Sequence, residues 1–221
     1  MMTDWKTYIA PVYLSIQVAV ISSIIVFILA VAAAKWMAHK RFVGQSVVET
    51  LFLLPLVLPP SVVGFLLLVM LGRRSWIGQA YEWFAGVPIV FTWIAAVIAA
   101  VVVAFPLAYR TIKSGFEEVD RELEDSTRSL GGSEWQVFRY ITVPLASRAL
   151  IAGFILGFAR ALGEFGATLM IAGNIPQRTQ TIPTAIYIAV DGGNLSLAWL
   201  WAFTMVFLSF LMLLVANRYS K

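Results

Sequence analysis

Residues 120–145 read DRELEDSTRSLGGSEWQVFRYITVPL, a strongly charged stretch inside an otherwise greasy chain. Of the 221 residues, 60% are hydrophobic and only 13% charged, and the mean hydropathy is +0.85. Residues 110–148 nevertheless carry 13 of the formal charges. A composition this apolar lies outside the soluble globular range. The chain reads as an all-α integral membrane protein, and the charged stretch as the segment whose role decides what kind.

A membrane helix needs roughly 20 apolar residues. Uncharged windows of that size run over 7–34, 50–72, 83–109 and 192–217, and a fifth follows Pro144, broken only by Arg160 and Glu164. They predict five spans near 10–34, 48–71, 89–109, 145–171 and 196–216. The first is too long, and its head too poor in charge, for a cleaved leader. With the N-terminus outside, the inner segments hold Lys35, Lys40, Arg41, Arg110, Lys113, Arg121, Arg128, Arg139, Arg148, Arg218 and Lys221, against Lys6, Arg73, Arg74 and Arg178 outside. This positive-inside bias places the charged stretch and the C-terminus in the cytoplasm. It also makes the net charge of +4 a topology signal rather than a nucleic-acid one. In the second outer loop, Ile182–Val190 is apolar but too short to cross, which suits a surface-lying or re-entrant helix.

Inside the charged stretch, Phe116, Val119, Leu123 and Leu130 recur at helical spacing. Gly131-Gly132 then ends the helix, glycine being free to take positive φ. Ser133 with Gln136 forms a capping box for a second short helix, whose exposed apolar members are expected to be Trp135, Phe138 and Ile141. Pro144 suits the first turn of the next span. A connector lying on lipid headgroups is usually basic on its polar face. Here Glu117, Glu118, Asp120, Glu122, Glu124 and Asp125 would be repelled by anionic lipid, so a docking element for a protein partner explains the pattern better.

Gly131, followed after nine residues by Ile141, Val143 and Pro144, resembles the tail of the EAA loop of ABC importer permeases. Aligned on Gly131, the EAA positions are Asp125, Ser126 and Thr127, with Glu124 one residue early, and Val143 stands where leucine is usual. LPLVLPPSVVGFLLL (54–68), GRRSWIG (72–78), FARALGEFGAT (158–168) and NIPQRTQTIPTAIY (174–187) extend the likeness, and the chain is similar to the molybdate permease family, ModB, over about 10–215. GEFGA is shared with sulfate permeases, while NIPQRTQTIP favours molybdate.

The resemblance implies a type I ABC importer permease fold, with 1–221 a single transmembrane permease domain and 110–144 a cytoplasmic coupling loop. It implies a homodimer forming the pathway, separate ABC ATPase subunits that use ATP and Mg, an extracytoplasmic molybdate-binding protein and surrounding membrane lipid. The location implied is a bacterial-type plasma (inner) membrane. Glu124, Asp125, Gly131, Gly132, Trp135, Phe138, Ile141 and Pro144 would couple to the ATPase. No cofactor is expected on this chain, which lacks a G-x-x-x-x-G-K-[ST] phosphate loop. It also lacks cysteine and has a single histidine, His39, which removes the usual groups of an intramembrane enzyme.

Arg160 and Glu164 fall four apart inside the fourth span, and intramembrane charges are functional candidates. They read either as a gate or pathway element or as a structural ion pair. Gly153, Gly157, Gly163 and Gly166 on the same span suit close helix packing. Pro55, Pro59 and Pro60 bend the second span, so Pro59 and Pro60 are gate candidates or simple kinks. Arg73, Arg74 and Arg178 make the outer mouth basic, for an oxyanion, the binding protein or lipid phosphate. Sulfate and tungstate stay open as substrates. A secondary transporter or channel, the rival from another class, would need coupling charges or an internal repeat that the sequence does not display.

Overall fold

The computed structural model describes residues 5–38 and 42–219, which contain no strand. His39, Lys40, Arg41 and Lys221 lie outside the described residues. In chain order the helices are α1 (Trp5–Ala38), α2 (Gln45–Val57), α3 (Pro60–Leu71), α4 (Trp76–Ala85), α5 (Trp93–Glu117), α6 (Arg121–Ser129) and α7 (Glu134–Val137). A π-helical turn (Phe138–Thr142) leads into α8 (Val143–Leu145), then α9 (Ser147–Leu162), α10 (Gly166–Ala172), α11 (Ile182–Asp191) and α12 (Leu195–Tyr219). Among them α1, α5 and α12 are long and apolar enough to cross a bilayer unaided, and the count reaches five if each of the bent pairs α2–α3 and α7–α9 is one span.

The core is built on α5, which packs against α1 and α9. One side of α5 is lined by small residues, Ala96, Ala99, Ala100, Val103, Ala104 and Ala108, all buried. Lipid offers no hydrophobic drive between helices, so close backbone approach supplies the packing. Gly153 and Gly157 of α9 serve it: a β-carbon at Gly153 would stand 2.5 Å from Ile112 Cγ1, and one at Gly157 would touch Ala108 and Val26. Many large apolar side chains of α12, such as Phe203, Val206, Phe207 and Phe210, face outward from the bundle. Near the charged end, Lys113 of α5 bridges Glu49 of α2 and Glu117, tying α2 to the core.

Several expected boundaries move. The second span is not one helix: α2 and α3 meet at 114° across Leu58 and Pro59. Pro60 and Pro59 cannot donate to the helical ladder, and each disfavours α geometry in the residue before it. Leu58 (ψ 141) and Pro59 (ψ 136) are accordingly extended. Pro55 sits inside α2 without ending it.

The third span starts at Trp93, capped by Thr92, and continues through Glu117, so the connecting segment begins at Glu118 rather than 110. Its polar last turns stay helical because Ile112 and Phe116 remain buried there. The fourth span is interrupted after Leu162 and resumes at Gly166. Pro144 lies in α8, before a 75° bend at Ala146, and not in the first turn of the span. The run Ile182–Val190 forms α11, which packs on α12 and is pinned to α1 where the Ile182 N–H donates to Ser15 Oγ at 2.7 Å.

Candidate functional site

The charged stretch folds as helix, glycine turn, helix. Asp120 caps α6 by accepting from the Glu122 N–H, and Glu122 and Glu124 occupy the favourable first turn. At its end Gly131 takes φ 88, donating to Arg128 O at 3.0 Å, while Gly132 donates to Thr127 O at 3.0 Å. This pair of bonds is the Schellman stop. Gly132 also has no room for a side chain, since a β-carbon would lie 2.8 Å from Thr127 O. Ser133 and Gln136 form the reciprocal capping box at the start of α7.

Two polar latches hold the pair. Glu124 is 5% exposed and accepts the Thr142 hydroxyl at 2.6 Å, fastening α6 to the π-helical turn. The buried acid is thus the one that falls a residue early against the EAA pattern, while Asp125 is exposed and pairs with Arg128 at 2.6 Å. Arg128 also grips Glu134 through Nε at 2.7 Å and Nη2 at 3.2 Å, bracing the turn from outside. Its hydrogen bonds hold the Glu134 carboxyl below the usual range. A depressed carboxyl keeps its stabilising effect at neutral pH and loses it only as acid titrates it through that lowered pKa.

The exposed apolar surface differs from the expected set. Trp135 is exposed, but Phe138 is half-buried, stacked edge-on against Phe116 and covered by Lys35 of α1, whose Nζ is 3.9 Å from the ring centroid. Ile141 is half-buried too. Both turn inward because α7 and the π-helical turn place Val137, Phe138, Ile141 and Thr142 on the face toward the bundle. In their place Leu123, Leu130 and Tyr140 face out, with Leu130 at 90% exposure on the tip of the turn. Leu130 belonged to the helical repeat from Phe116, and what sequence spacing missed is that the repeat splits. Phe116 and Val119 serve the bundle, while Leu123 and Leu130 face away from it. A cleft of about 530 Å³ separates this element from the end of α1, with Lys35, Trp36, Glu124 and Phe138 in its walls.

A second group forms where the two interrupted spans meet. α3 and α10 run side by side: a β-carbon on Gly166 would lie 3.0 Å from Pro60 Cβ, and one on Gly64 2.7 Å from Met170 Cβ. Pro59 and Pro60 therefore sit beside the break that carries Glu164. Glu164 lies outside α9 rather than on its face, 3% exposed. Its Oε2 accepts from Arg160 Nη1 at 2.8 Å and its Oε1 from the Ala167 N–H at 2.8 Å, so it starts α10 as well as pairing.

This geometry favours the structural role of the pair. Arg160→Gln leaves Glu164 buried without its cation. The loss is expected to cost about 3 kcal/mol, toward the low end for a one-sided break of a buried pair, because the Arg160 side chain is 29% exposed. The expected outcome is a lowered thermal midpoint and a poor yield of monodisperse protein in detergent. A fully assembled but slow transporter would instead mark Arg160 as part of a gate.

Residues 25–221 match the family described as "Binding-protein-dependent transport system inner membrane component". The chain is 55% identical to the putative molybdenum transport system permease protein YvgM of Bacillus subtilis over 206 residues, 93% of this chain and 91% of the relative. It is 44% identical to the molybdenum transport system permease protein ModB of Haemophilus influenzae over 216 residues, 96% of this chain and 93% of the relative. Likeness to a probable sulfate transport system permease protein of Chlorella vulgaris is lower, at 34% over 186 residues, 84% of this chain and 68% of the relative. Among solved structures, a bacterial ABC transporter involved in alginate import superposes with a TM-score of 0.77 at 14% identity, covering 97% of this chain and 79% of that one. The MetNI methionine ABC transporter, in an inward-facing form, gives 0.71 at 15% identity, covering 96% and 94%.

Proposed function

Because the chain belongs to the binding-protein-dependent transport system inner membrane components, as a multi-pass permease, we propose that two copies form the pathway of an ATP-driven molybdate importer. The observation that carries the coupling half of this reading is the α6–α7 element. It is braced from within by Glu124 and Thr142 and offers Leu123, Leu130, Trp135 and Tyr140 to a partner. The 55% identity to a molybdenum permease supports the substrate. Tungstate shares the chemistry, and the lower likeness to a sulfate permease keeps sulfate as the competing anion.

In this reading the charged end is cytoplasmic, and a separate ATPase, using ATP and Mg, seats the α6–α7 element in a surface groove. Nucleotide-driven closure of the ATPase pair draws the coupling elements of the two permeases together. The π-helical turn and Ala146 connect the element to α9 and pass that motion on. At the far end of α9, the breaks at Pro59–Pro60 and Gly163–Phe165 are the points where spans can tilt as segments, and they form the gate. A binding protein outside supplies and selects the anion. The permease itself holds cargo weakly, because a conduit must release what it binds.

The natural absence of cysteine gives a direct test. In Leu130→Cys, a short bifunctional reagent is expected to cross-link the permease to the co-expressed ATPase, with a yield that changes on adding ATP. The same reagent on Phe203→Cys, on the lipid-facing helix α12, is expected to give no such product. Equal yields at both positions would remove α6–α7 as the docking element.

A further inference from the structure

The segment NIPQRTQTIP (174–183) takes no part in the coupling element or in the meeting of the two breaks, yet it is firmly built. Thr179 is fully buried, and its Oγ1 accepts the Ile175 N–H at 3.0 Å. The N–H groups of Arg178 and Thr179 return to Ile175 O at 3.0 and 2.9 Å, and Ile182 is tied to Ser15. This pinned loop presents Gln177 and Arg178 at its tip.

Gln177 has φ 63 and Phe91 φ 61, the non-glycine residues with positive φ among those described. Such geometry is costly for residues with a β-carbon and persists where surrounding structure enforces it. Both residues line the same cleft of about 410 Å³, whose other polar walls are Tyr13 and Gln17 of α1, Thr92 and Arg178. Its lining holds no carboxylate, and among the described residues Arg178 is in no ion pair. α5 also begins here, so the positive end of its dipole lies at the cleft wall.

We propose that this cleft is a landing site for a small tetrahedral divalent oxyanion, with the Arg178 guanidinium as its charge partner and the Gln17 and Gln177 amides as further donors. The proposal deepens the importer reading and rests on it for placing the cleft on the outer face. Guanidinium suits oxyanions because its donors form a planar fork. A single exposed cation beside neutral donors gives weak, quickly reversed binding, as delivery into a pathway requires.

The test uses the complete permease–ATPase complex in nanodiscs. Phenylglyoxal modification of each arginine is followed by peptide mass spectrometry, with tungstate as the probe. Millimolar tungstate is expected to slow modification of Arg178 several-fold and to leave exposed Arg74 unchanged. Equal rates with and without tungstate overturn the site. Protection by anionic phospholipid, with no further effect of tungstate, also overturns it and assigns Arg178 to lipid headgroups.

In uptake from loaded binding protein, Arg178→Gln is expected to lower the rate about tenfold, the loss of a charged hydrogen bond, with Arg178→Lys recovering part. Unchanged uptake, or a matching loss of binding-protein affinity, contradicts the proposal. The protection experiment needs no transport. If wild-type protein takes up molybdate but shows no protection, the site alone fails; if it takes up none, the importer reading fails by itself.

Discussion

Gly131→Pro is expected to abolish ATP-driven uptake while the protein still reaches the membrane in normal amount. Gly131 holds φ 88, and proline is fixed near −65°. Proline also lacks the N–H that Gly131 donates to Arg128 O, so one bond of the turn disappears with the geometry. The turn sets the angle between α6 and α7, and through it the spacing of the Arg128–Glu134 brace and the exposure of Leu130. The spans do not depend on this turn, so insertion survives.

A control separates geometry from bulk. No atom lies within 4 Å of where a β-carbon would stand at Gly131, and asparagine tolerates left-handed backbone better than other residues with a β-carbon. Gly131→Asn is therefore expected to retain a large part of the uptake rate. Uptake of labelled substrate into vesicles, normalised to permease content by immunoblot, reads both variants. Wild-type uptake by the proline variant would remove the turn from the mechanism.

Gly64→Leu gives the second large effect, at the other end of the coupling path. A β-carbon there would lie 2.8 Å from Ala167 Cα and 3.0 Å from Ala167 O, backbone atoms that do not rotate away. The whole leucine side chain must then part α3 from α10. Overpacking of this kind costs about 1–3 kcal/mol, and here the strain falls on the place where the two interrupted spans meet. The expected result is loss of uptake with the ATPase still co-purifying, because α6 and α7 are untouched. Nucleotide-dependent cross-linking at Leu130→Cys should persist in the double variant. Full uptake by Gly64→Leu would show that α3 and α10 need not stay in contact during transport.

The turn between α6 and α7 was legible in the sequence, since its signals are local. The Gly131 stop and the Ser133–Gln136 box act within a few residues of one another, and the structure forms both, whereas the helix expected to run on from Phe116 ends at Glu117 and restarts at Arg121 under the Asp120 cap. Features that need a partner from elsewhere in the chain stayed hidden. Phe138 turns inward because Lys35 and Phe116, far off in sequence, receive it. Glu124 is buried because Thr142 is there to donate to it.

The interrupted spans were half legible. Pro59 and Pro60 announced a bend, but a hydropathy window averages across a break and cannot distinguish a kink from a 114° turn. The break after Leu162 had no proline to mark it. At the break Glu164 stands outside α9, paired with Arg160 and accepting from the Ala167 N–H at the start of α10. That the two breaks touch, Pro60 against Gly166, is a tertiary fact outside the reach of spacing.

What defines this permease is molybdate transport driven by a separate ATPase. Its most direct test is uptake of labelled molybdate into proteoliposomes containing the permease, its ATPase and the loaded binding protein, with and without ATP inside the ATPase compartment, challenged by excess tungstate or sulfate. Uptake is expected to require ATP, to be blocked by tungstate and to be indifferent to sulfate. Equal competition by sulfate would move the protein to the sulfate permeases, and ATP-independent uptake would rule out an ATPase-driven permease.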